Sequence, residues 1–148
     1  MKTIFSPLHA GHSGQMEVIG GALVPGFEMP SRAEYVRGRV ESEKLGPILP
    51  PRAHDLSAAK RVHRADYVDF LPTAWPLWEE SGRGGCAFGF AWPVRGLRGD
   101  VRPRSIDALL GFYSFDAGAT FVKGTWEAVK SSYDVALTAA ALVEGGER

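Results

Sequence analysis

The sequence lacks several features that would assign a protein class directly. It has one cysteine, Cys86, in 148 residues, so no disulfide can form within the chain, which favours a reducing compartment. The 17 basic residues equal the 17 acidic ones, so no overall field attracts nucleic acid or an anionic membrane. No apolar run has the length of a signal peptide or a membrane span. We therefore expect a cytoplasmic protein whose partners include neither nucleic acid nor a membrane.

Sequence motifs for catalysis are also missing. No serine or cysteine lies in a nucleophile motif, and neither a G-x-G-x-x-G nor a Walker sequence occurs. His9 and His12 lie three residues apart in a Gly-rich stretch, but no third ligand follows at a spacing typical of zinc sites. We therefore interpret both as loop histidines, and from the residues alone we expect no catalytic and no metal site in this chain.

The strongest positive feature is a set of large apolar residues at helical spacing between Arg61 and Trp78. The set recurs at i, i+3, i+4, i+7, i+8 and i+11, and consists of Tyr67, Phe70, Leu71, Ala74, Trp75 and Trp78. This spacing predicts one buried helix face against which other elements pack. Pro72 and Pro76 lack the amide that would bond to the preceding turn, so we expect a kink or a break there.

The N-terminal half of the chain predicts one further helix and two weak strands. Residues 2–5 and 48–49 have the composition of short strands. Ser31 and Glu34 have the spacing of a capping box, which predicts a helix from there to about Leu45. Its predicted buried residues are Ala33, Val36 and Val40.

The remaining helices are predicted from capping residues and apolar spacing. Asp55 can cap a brief helix, and Ser105 or Asp107 can open another that continues to Tyr113. Thr125 is a candidate cap for a final helix that ends at Gly145-Gly146. Its predicted buried face consists of Trp126, Val129, Tyr133, Ala136, Leu137 and Ala140.

Two regions, residues 8–30 and 79–104, predict long irregular loops because glycine and proline are frequent there. Within the second region, Phe88, Phe90 and Trp92 alternate with small residues, which indicates an extended segment with one aromatic face. Such a face suits either an edge that packs on the core or a contact surface for a ligand or a second subunit. Loops of this length are uncommon without a function.

The order of the predicted elements indicates an α/β fold whose sheet is incomplete. The two strands are too few for the sheet that alternating strands and helices require, which suggests that sheet partners are missing. At 148 residues the chain is either one domain or a piece of a larger one.

Several segments in this order resemble the acetylpolyamine amidohydrolases, the bacterial branch of the histone deacetylase superfamily. The matching segments lie at compatible spacing over nearly the whole chain. They are residues 4–6 with His9, 17–25, 27–34, Val62-His63 with Tyr67, 70–75, 93–95, Gly111-Phe112-Tyr113 and 124–128.

The resemblance implies an arginase/deacetylase-like three-layer α/β fold with a central parallel sheet. It further implies a zinc-dependent hydrolase in which a metal-bound water attacks an acetyl amide. The Pro-Gly-His-His and Asp-x-His motifs of the family do not occur in this sequence. The resemblance therefore implies that residues 1–148 are the N-terminal portion of a single deacetylase-like domain. Zinc would then be bound by residues outside this chain.

The resemblance also implies roles for named residues in this chain. Glu17, Asp107 and Tyr113 fall at positions that line the substrate channel, where carboxylates favour a cationic substrate. A further acidic position of the family aligns with Gly118, so the resemblance implies that this contact is either lost or replaced by one from Asp116. The other roles that it implies are support of the acetyl pocket by Arg32 and a dimer contact made by Phe88, Phe90 and Trp92.

Three hypotheses remain open from the sequence. The first is that the parent protein is a zinc amidohydrolase that removes acetyl groups from acetylated polyamines or similar acetylated amines and acts as a homodimer. The alternative is a non-catalytic small-molecule-binding or assembly module that uses the same channel rim. An unrelated small α/β structural protein is the third.

Overall fold

The computed structural model describes residues 1–93, 96 and 98–147. Strands and one helix occupy the first third of the chain and four helices follow the last strand, with a 3-10 helix, Pro7–Gly11, after the first strand. In chain order they are β1 (Thr3–Ile4), β2 (Met16–Ile19), β3 (Ala22–Pro25), α1 (Ser31–Ser42), β4 (Ile48–Leu49), α2 (Ser57–Val62), α3 (Ala65–Glu80), α4 (Ile106–Phe112) and α5 (Thr125–Glu144).

The chain divides into two compact units. The first consists of Met1–Ser13, Glu28–Leu56 and Gly124–Arg148, and the second consists of Gly14–Phe27 and Ser57–Lys123. The first unit holds β1, β4, α1, α5 and the 3-10 helix, whereas the second holds the β2–β3 hairpin and the other helices. Each functional candidate is therefore described within its own unit.

In the first unit, β1 and β4, which lie where the sequence predicted two short strands, pair in parallel. Thr3 lies opposite Ile48 and Ile4 opposite Leu49. The Phe5 amide extends the ladder by donating to the Leu49 carbonyl at 3.0 Å. Over the residues that the structure describes, this sheet has these two strands. Both faces of a parallel sheet are usually covered by helices. A pair of two-residue strands therefore depends on the elements packed around it for its stability.

Helix α5 exists as predicted, but the face that it buries is not the predicted one. Val129 is 43% exposed, and Ala136 and Ala140 are exposed as well. The buried residues lie on the opposite side and are largely polar: Thr125, Ala128, Ser131, Asp134 and Thr138. Apolar spacing alone identified the wrong side, because hydroxyl and carboxylate groups can be buried when they are hydrogen-bonded.

The polar face of α5 binds the segment that follows β4. Asp134 accepts a hydrogen bond from the His54 amide at 2.9 Å, and Thr138 Oγ1 accepts one from the Arg52 amide at 2.9 Å. The Tyr133 hydroxyl donates to the Asp55 carbonyl at 2.6 Å. These bonds satisfy backbone groups of a segment without regular structure, and they fix it against the helix.

The predicted capping box at the start of α1 is wrong. Ser31 is the first helical residue, and Pro30 occupies the cap position without a side-chain cap. Glu34 instead contacts Arg37 at 3.3 Å and His9 at 3.4 Å. Of the predicted buried residues Val40 is buried, whereas Val36 is 65% exposed.

In the second unit, the region expected to be an irregular loop contains a β-hairpin. Strands β2 and β3 pair antiparallel, with Glu17 opposite Val24 and Ile19 opposite Ala22. The two-residue turn, Gly20-Gly21, has φ of 58° and 82°, and glycine adopts such angles without steric cost. The prediction of a loop over residues 8–30 is therefore wrong for this part.

Helix α3 supplies the core of the second unit, which confirms the main prediction from the sequence. Phe70, Ala74 and Trp78 are buried in one cluster with residues of α4. The helix continues through Pro72 and Pro76, so of the predicted kink or break, the break does not occur. The remaining predicted members of this face, Tyr67, Leu71 and Trp75, are half-buried.

The extended segment after Ala87 lies against α4 with its small residues inward. Ala87 bridges Phe121 through two backbone hydrogen bonds of 2.8 and 3.0 Å. Ala87 and Gly89 are buried. A Cβ added to Gly111 of α4 would lie 2.1 Å from the Ala91 carbonyl oxygen, so the two backbones touch. Of the aromatic residues in the segment, Phe88 is half-buried, whereas Phe90 and Trp92 are exposed.

Candidate functional site

Glu17 lies on β2 and stabilises the exit of the hairpin. Its carboxylate oxygen Oε1 accepts a hydrogen bond from the Phe27 amide at 3.3 Å. The side chain is half-buried, and Gly26 packs closely on it, because a Cβ there would meet Glu17 Oε1 at 3.1 Å. A carboxylate fixed in this way is oriented in advance, which suits it to hold a cationic group.

Asp107 lies in the first turn of α4, where Ser105 is the N-cap and accepts from the Ala108 amide at 3.4 Å. Both carboxylate oxygens of Asp107 contact Arg83, Oδ1 at 2.5 Å and Oδ2 at 3.2 Å. The hydrogen bond from Arg83 lowers the pKa of Asp107. Asp107 is therefore a paired carboxylate, whereas the resemblance implied one that faces substrate.

Tyr113 ends α4, and its hydroxyl donates to Asp66 Oδ2 at 2.9 Å. Its ring stacks on the buried Phe70, with centroids 4.8 Å apart. Burial, and then the hydrogen bond to Asp66, raise the pKa of Tyr113. Asp66 in turn forms two hydrogen bonds with Arg64, and these are the main cause that lowers its pKa. The Tyr113 hydroxyl is therefore held within the protein.

Asp116 lies in the loop after α4 and shapes that loop. Its Oδ1 accepts hydrogen bonds from the Gly118 amide at 2.8 Å and the Ala119 amide at 3.2 Å. Asp116 is exposed, so its second carboxylate oxygen can face solvent. This arrangement is an Asx turn, which is a common structural use of aspartate.

The aromatic segment is exposed in part. Phe88 and Phe90 stack with ring centroids 5.4 Å apart, and Phe90 is 65% exposed. Trp92 is 36% exposed, and its Nε1 donates to Ser114 Oγ at 3.2 Å. Three aromatic residues presented together form a surface of the kind that is enriched at protein interfaces.

In the first unit, Arg32 forms an ion pair with Glu28 and is 64% exposed. Both residues line a cavity of about 450 Å³ together with His9 and His12. The structure thus brings together Arg32 and the two histidines, which the sequence had placed in separate elements. The remaining residues that line the cavity are Met29, Pro30, Ala33, Ala128, Val129 and Ser132.

The two histidines are held by hydrogen bonds within the first unit. His9 Nδ1 donates to the Ser6 carbonyl at 2.8 Å, and His12 Nδ1 lies 2.9 Å from Thr125 Oγ1. Burial lowers the pKa of His12, which favours its neutral form. Among residues 1–93, 96 and 98–147, no group of three or more His, Cys, Asp or Glu side chains converges to hold a metal ion.

Two residues of the candidate rim escaped the sequence reasoning. Arg83 pairs with Asp107 from 24 residues away, and Asp66 accepts from Tyr113 across 47 residues. The sequence contained no local signal for either pairing, because each depends on how α3 packs against α4.

No helix in the described part of the chain is both long and apolar enough to cross a membrane.

Comparisons with known proteins agree with the resemblance seen in the sequence, although no family model matches the chain. Over its whole length the chain is 45% identical to acetylpolyamine amidohydrolase 2 and 42% identical to acetylpolyamine amidohydrolase 1, both from Pseudomonas aeruginosa. It is 36% identical to acetylpolyamine amidohydrolase of Mycoplana ramosa. The chain spans 43% of the length of each of these relatives.

A solved structure of similar fold confirms the expected fold class. A crystal structure of acetylpolyamine aminohydrolase from Burkholderia pseudomallei superposes with a TM-score of 0.87 over 99% of this chain, at 24% sequence identity. The match covers 42% of that protein. Both the α/β fold and the resemblance are therefore confirmed: along its whole length, this chain is related to the acetylpolyamine amidohydrolases.

Proposed function

We propose that the parent protein is a zinc-dependent amidohydrolase that removes acetyl groups from acetylated polyamines or similar acetylated amines. This chain is its N-terminal portion, and it contributes the rim of the substrate channel and the dimer loops. The observation that carries the proposal is the 45% identity to acetylpolyamine amidohydrolase 2 along all 148 residues. We further propose that the parent protein acts in the cytoplasm as a homodimer.

The residues of this chain do not fit the zinc centre that the proposal requires. The described part of the chain offers no convergent set of three metal ligands, and His9 and His12 already bond to neighbouring groups. Zinc supplies the activated water and the Lewis acid in this chemistry. Its ligands are therefore assigned to the part of the parent protein beyond these residues. This chain contributes substrate recognition and support of the fold.

Acidic residues of the second unit support a preference for cationic amines. Glu17 is oriented by the Phe27 amide, and Asp116 is exposed on its loop. A carboxylate in a partly enclosed channel attracts an ammonium group more strongly than a carboxylate in bulk water does, because solvent screens the attraction between the two charges less. Exposed Phe90 and Trp92, with Phe88, are the proposed contact between two copies of the parent protein.

The first experiment is to purify the full-length protein from its natural source and measure its intact mass, zinc content and hydrolysis of acetylated polyamines. We expect a mass well above 16.0 kDa, one zinc per chain and activity that is lost on chelation and restored by zinc. A metal-free protein that binds polyamine without turnover would instead support the non-catalytic binding module.

The rim assignment is tested by Glu17→Gln in the full-length enzyme. We expect kcat/KM for an acetylated polyamine to fall by about threefold or more relative to a neutral acetyl amide, because one attractive charge is removed. Glu41→Gln, on α1, removes the same charge outside the proposed rim and serves as the matched control. Equal losses on the charged and the neutral substrate would exclude Glu17 from recognition.

A further inference from the structure

Arg83 lies in the loop after α3, and its guanidinium makes three contacts. Its guanidinium carbon lies 3.9 Å from the centroid of the Trp78 ring, and its Nε donates to Ser81 Oγ at 2.8 Å. Its remaining terminal nitrogens donate to Asp107. A stacked and bidentate arginine is far better fixed than an ordinary surface lysine or arginine.

The loop that carries Arg83 is itself tied to the end of α3. The Ser81 hydroxyl donates to the Trp78 carbonyl at 2.6 Å, and Trp78 Nε1 donates to the Gly84 carbonyl at 3.2 Å. Trp78 is 9% exposed and belongs to the core of the second unit. We therefore expect the guanidinium to keep its position when Asp107 is replaced, because stacking on Trp78 and the bond to Ser81 remain.

We propose that Arg83 sets the charge selectivity of the rim by occupying the cation-binding position of Asp107. This inference rests on the proposed function, which places Asp107 at the rim. Both oxygens of Asp107 face the guanidinium, so the pair presents no net charge to an approaching ammonium group. Cation attraction at the rim then depends on the other carboxylates, and Arg83 keeps Asp107 from contributing to it.

The proposal makes a signed prediction for each charge state of the pair. Arg83→Gln leaves a bare carboxylate, which should attract a diamine. Asp107→Asn leaves a bare guanidinium fixed on Trp78, which should repel one. The double variant carries no charge at either position, and its net charge therefore equals that of the wild-type ion pair, so it should behave like the wild type. Such a double-mutant cycle separates the charge effect from general damage to the loop.

The measurement is equilibrium binding of 1,4-diaminobutane to the full-length protein by calorimetry at low salt. We expect Arg83→Gln to tighten binding by about three- to tenfold and Asp107→Asn to weaken it by about the same factor, both effects shrinking at high salt. Arg83→Lys keeps the charge and should bind as the wild type does. In the hydrolytic assay, the ratio of kcat/KM for charged and neutral acetyl amides should move in the same directions.

Two controls keep the result specific. Lys60→Gln removes one positive charge from the ion pair with Asp69, 2.6 Å, elsewhere in the second unit, and should leave diamine affinity unchanged. Thermal unfolding of each variant shows whether its fold is intact. Unchanged or weaker binding by Arg83→Gln, or a double variant that fails to return to wild-type affinity, would overturn the proposal. Because binding requires no turnover, a protein without hydrolytic activity would refute the proposed function and still test this inference.

Discussion

Thr138 offers a sharp test of how the polar face of α5 stabilises the first unit. The residue is 5% exposed, and its Oγ1 accepts from the Arg52 amide at 2.9 Å and contacts His54 Nε2 at 3.2 Å. Valine has nearly the same shape but no acceptor. Thr138→Val therefore leaves the Arg52 amide without its partner, while the packing volume changes little.

The expected cost follows from that single amide. The Arg52 amide lies in a part-buried hydrogen bond, so the loss of its partner should cost about 1 kcal/mol, the lower end of the range for buried donors, which corresponds to an increase of about fivefold in local opening. Hydrogen exchange of the full-length protein, read on the peptide that covers residues 50–56, should show this increase. The same peptide should bind less firmly to α5, so the amide of His54 should also exchange faster.

The matched control for this test is Thr73→Val. The Thr73 hydroxyl donates to the Phe70 carbonyl at 2.7 Å within α3, and the residue is exposed, so its loss should leave exchange at residues 50–56 unchanged. If Thr138→Val changes the exchange of that segment less than twofold, the hydrogen bond to Arg52 does not hold it, and the reasoning is refuted.

Two further predictions concern pH and close packing. Burial acts to raise the pKa of Asp134, but hydrogen bonds from Lys130 and from a backbone amide outweigh it and lower the pKa, so its stabilisation is present above the unfolded pKa of about 3.9 and lost as pH falls through the folded value. Asp134→Asn should therefore flatten the decline of Tm below about pH 4, and an unchanged acid slope would contradict this. Gly111→Ala should lower Tm, because its Cβ would lie 2.1 Å from the Ala91 carbonyl oxygen. Gly38→Ala on α1 meets nothing within 4 Å and should stabilise, so equal losses in both variants would count against the close contact.

Apolar spacing predicted the core of the second unit well but failed for α5. Phe70, Ala74 and Trp78 are large or closely packed apolar residues, and burying them is favourable in any context. The buried face of α5 contains Asp134 and Thr138, which are favourable inside only because a distant segment supplies their partners. A single sequence does not reveal such partners, so its most apolar stripe was mistaken for the inner one.

The frequency of glycine and proline does not distinguish an irregular loop from a hairpin turn. Gly20-Gly21 between two alternating runs is a recognised hairpin signal, but the glycine and proline around it predict an irregular loop. For the candidate rim, the resemblance identifies Glu17 and Asp107 but not the residues that form hydrogen bonds with them. Whether a carboxylate is available to a ligand depends on a residue such as Arg83, whose position is set by packing.

The close approach of Gly11 and Gly124 constrains how the sequence of the first unit can vary. A Cβ at Gly11 would lie 3.0 Å from the Gly124 oxygen, and one at Gly124 would lie 2.7 Å from the Gly11 oxygen. Gly124 also has φ of 90°, which disfavours any side chain. Each residue is already the smallest possible, so a substitution at one cannot be compensated at the other. In a mutational scan of the parent protein, neither position should tolerate substitution, and no substitution at one should restore stability lost at the other. The two glycines can therefore change neither one at a time nor together without a loss of stability.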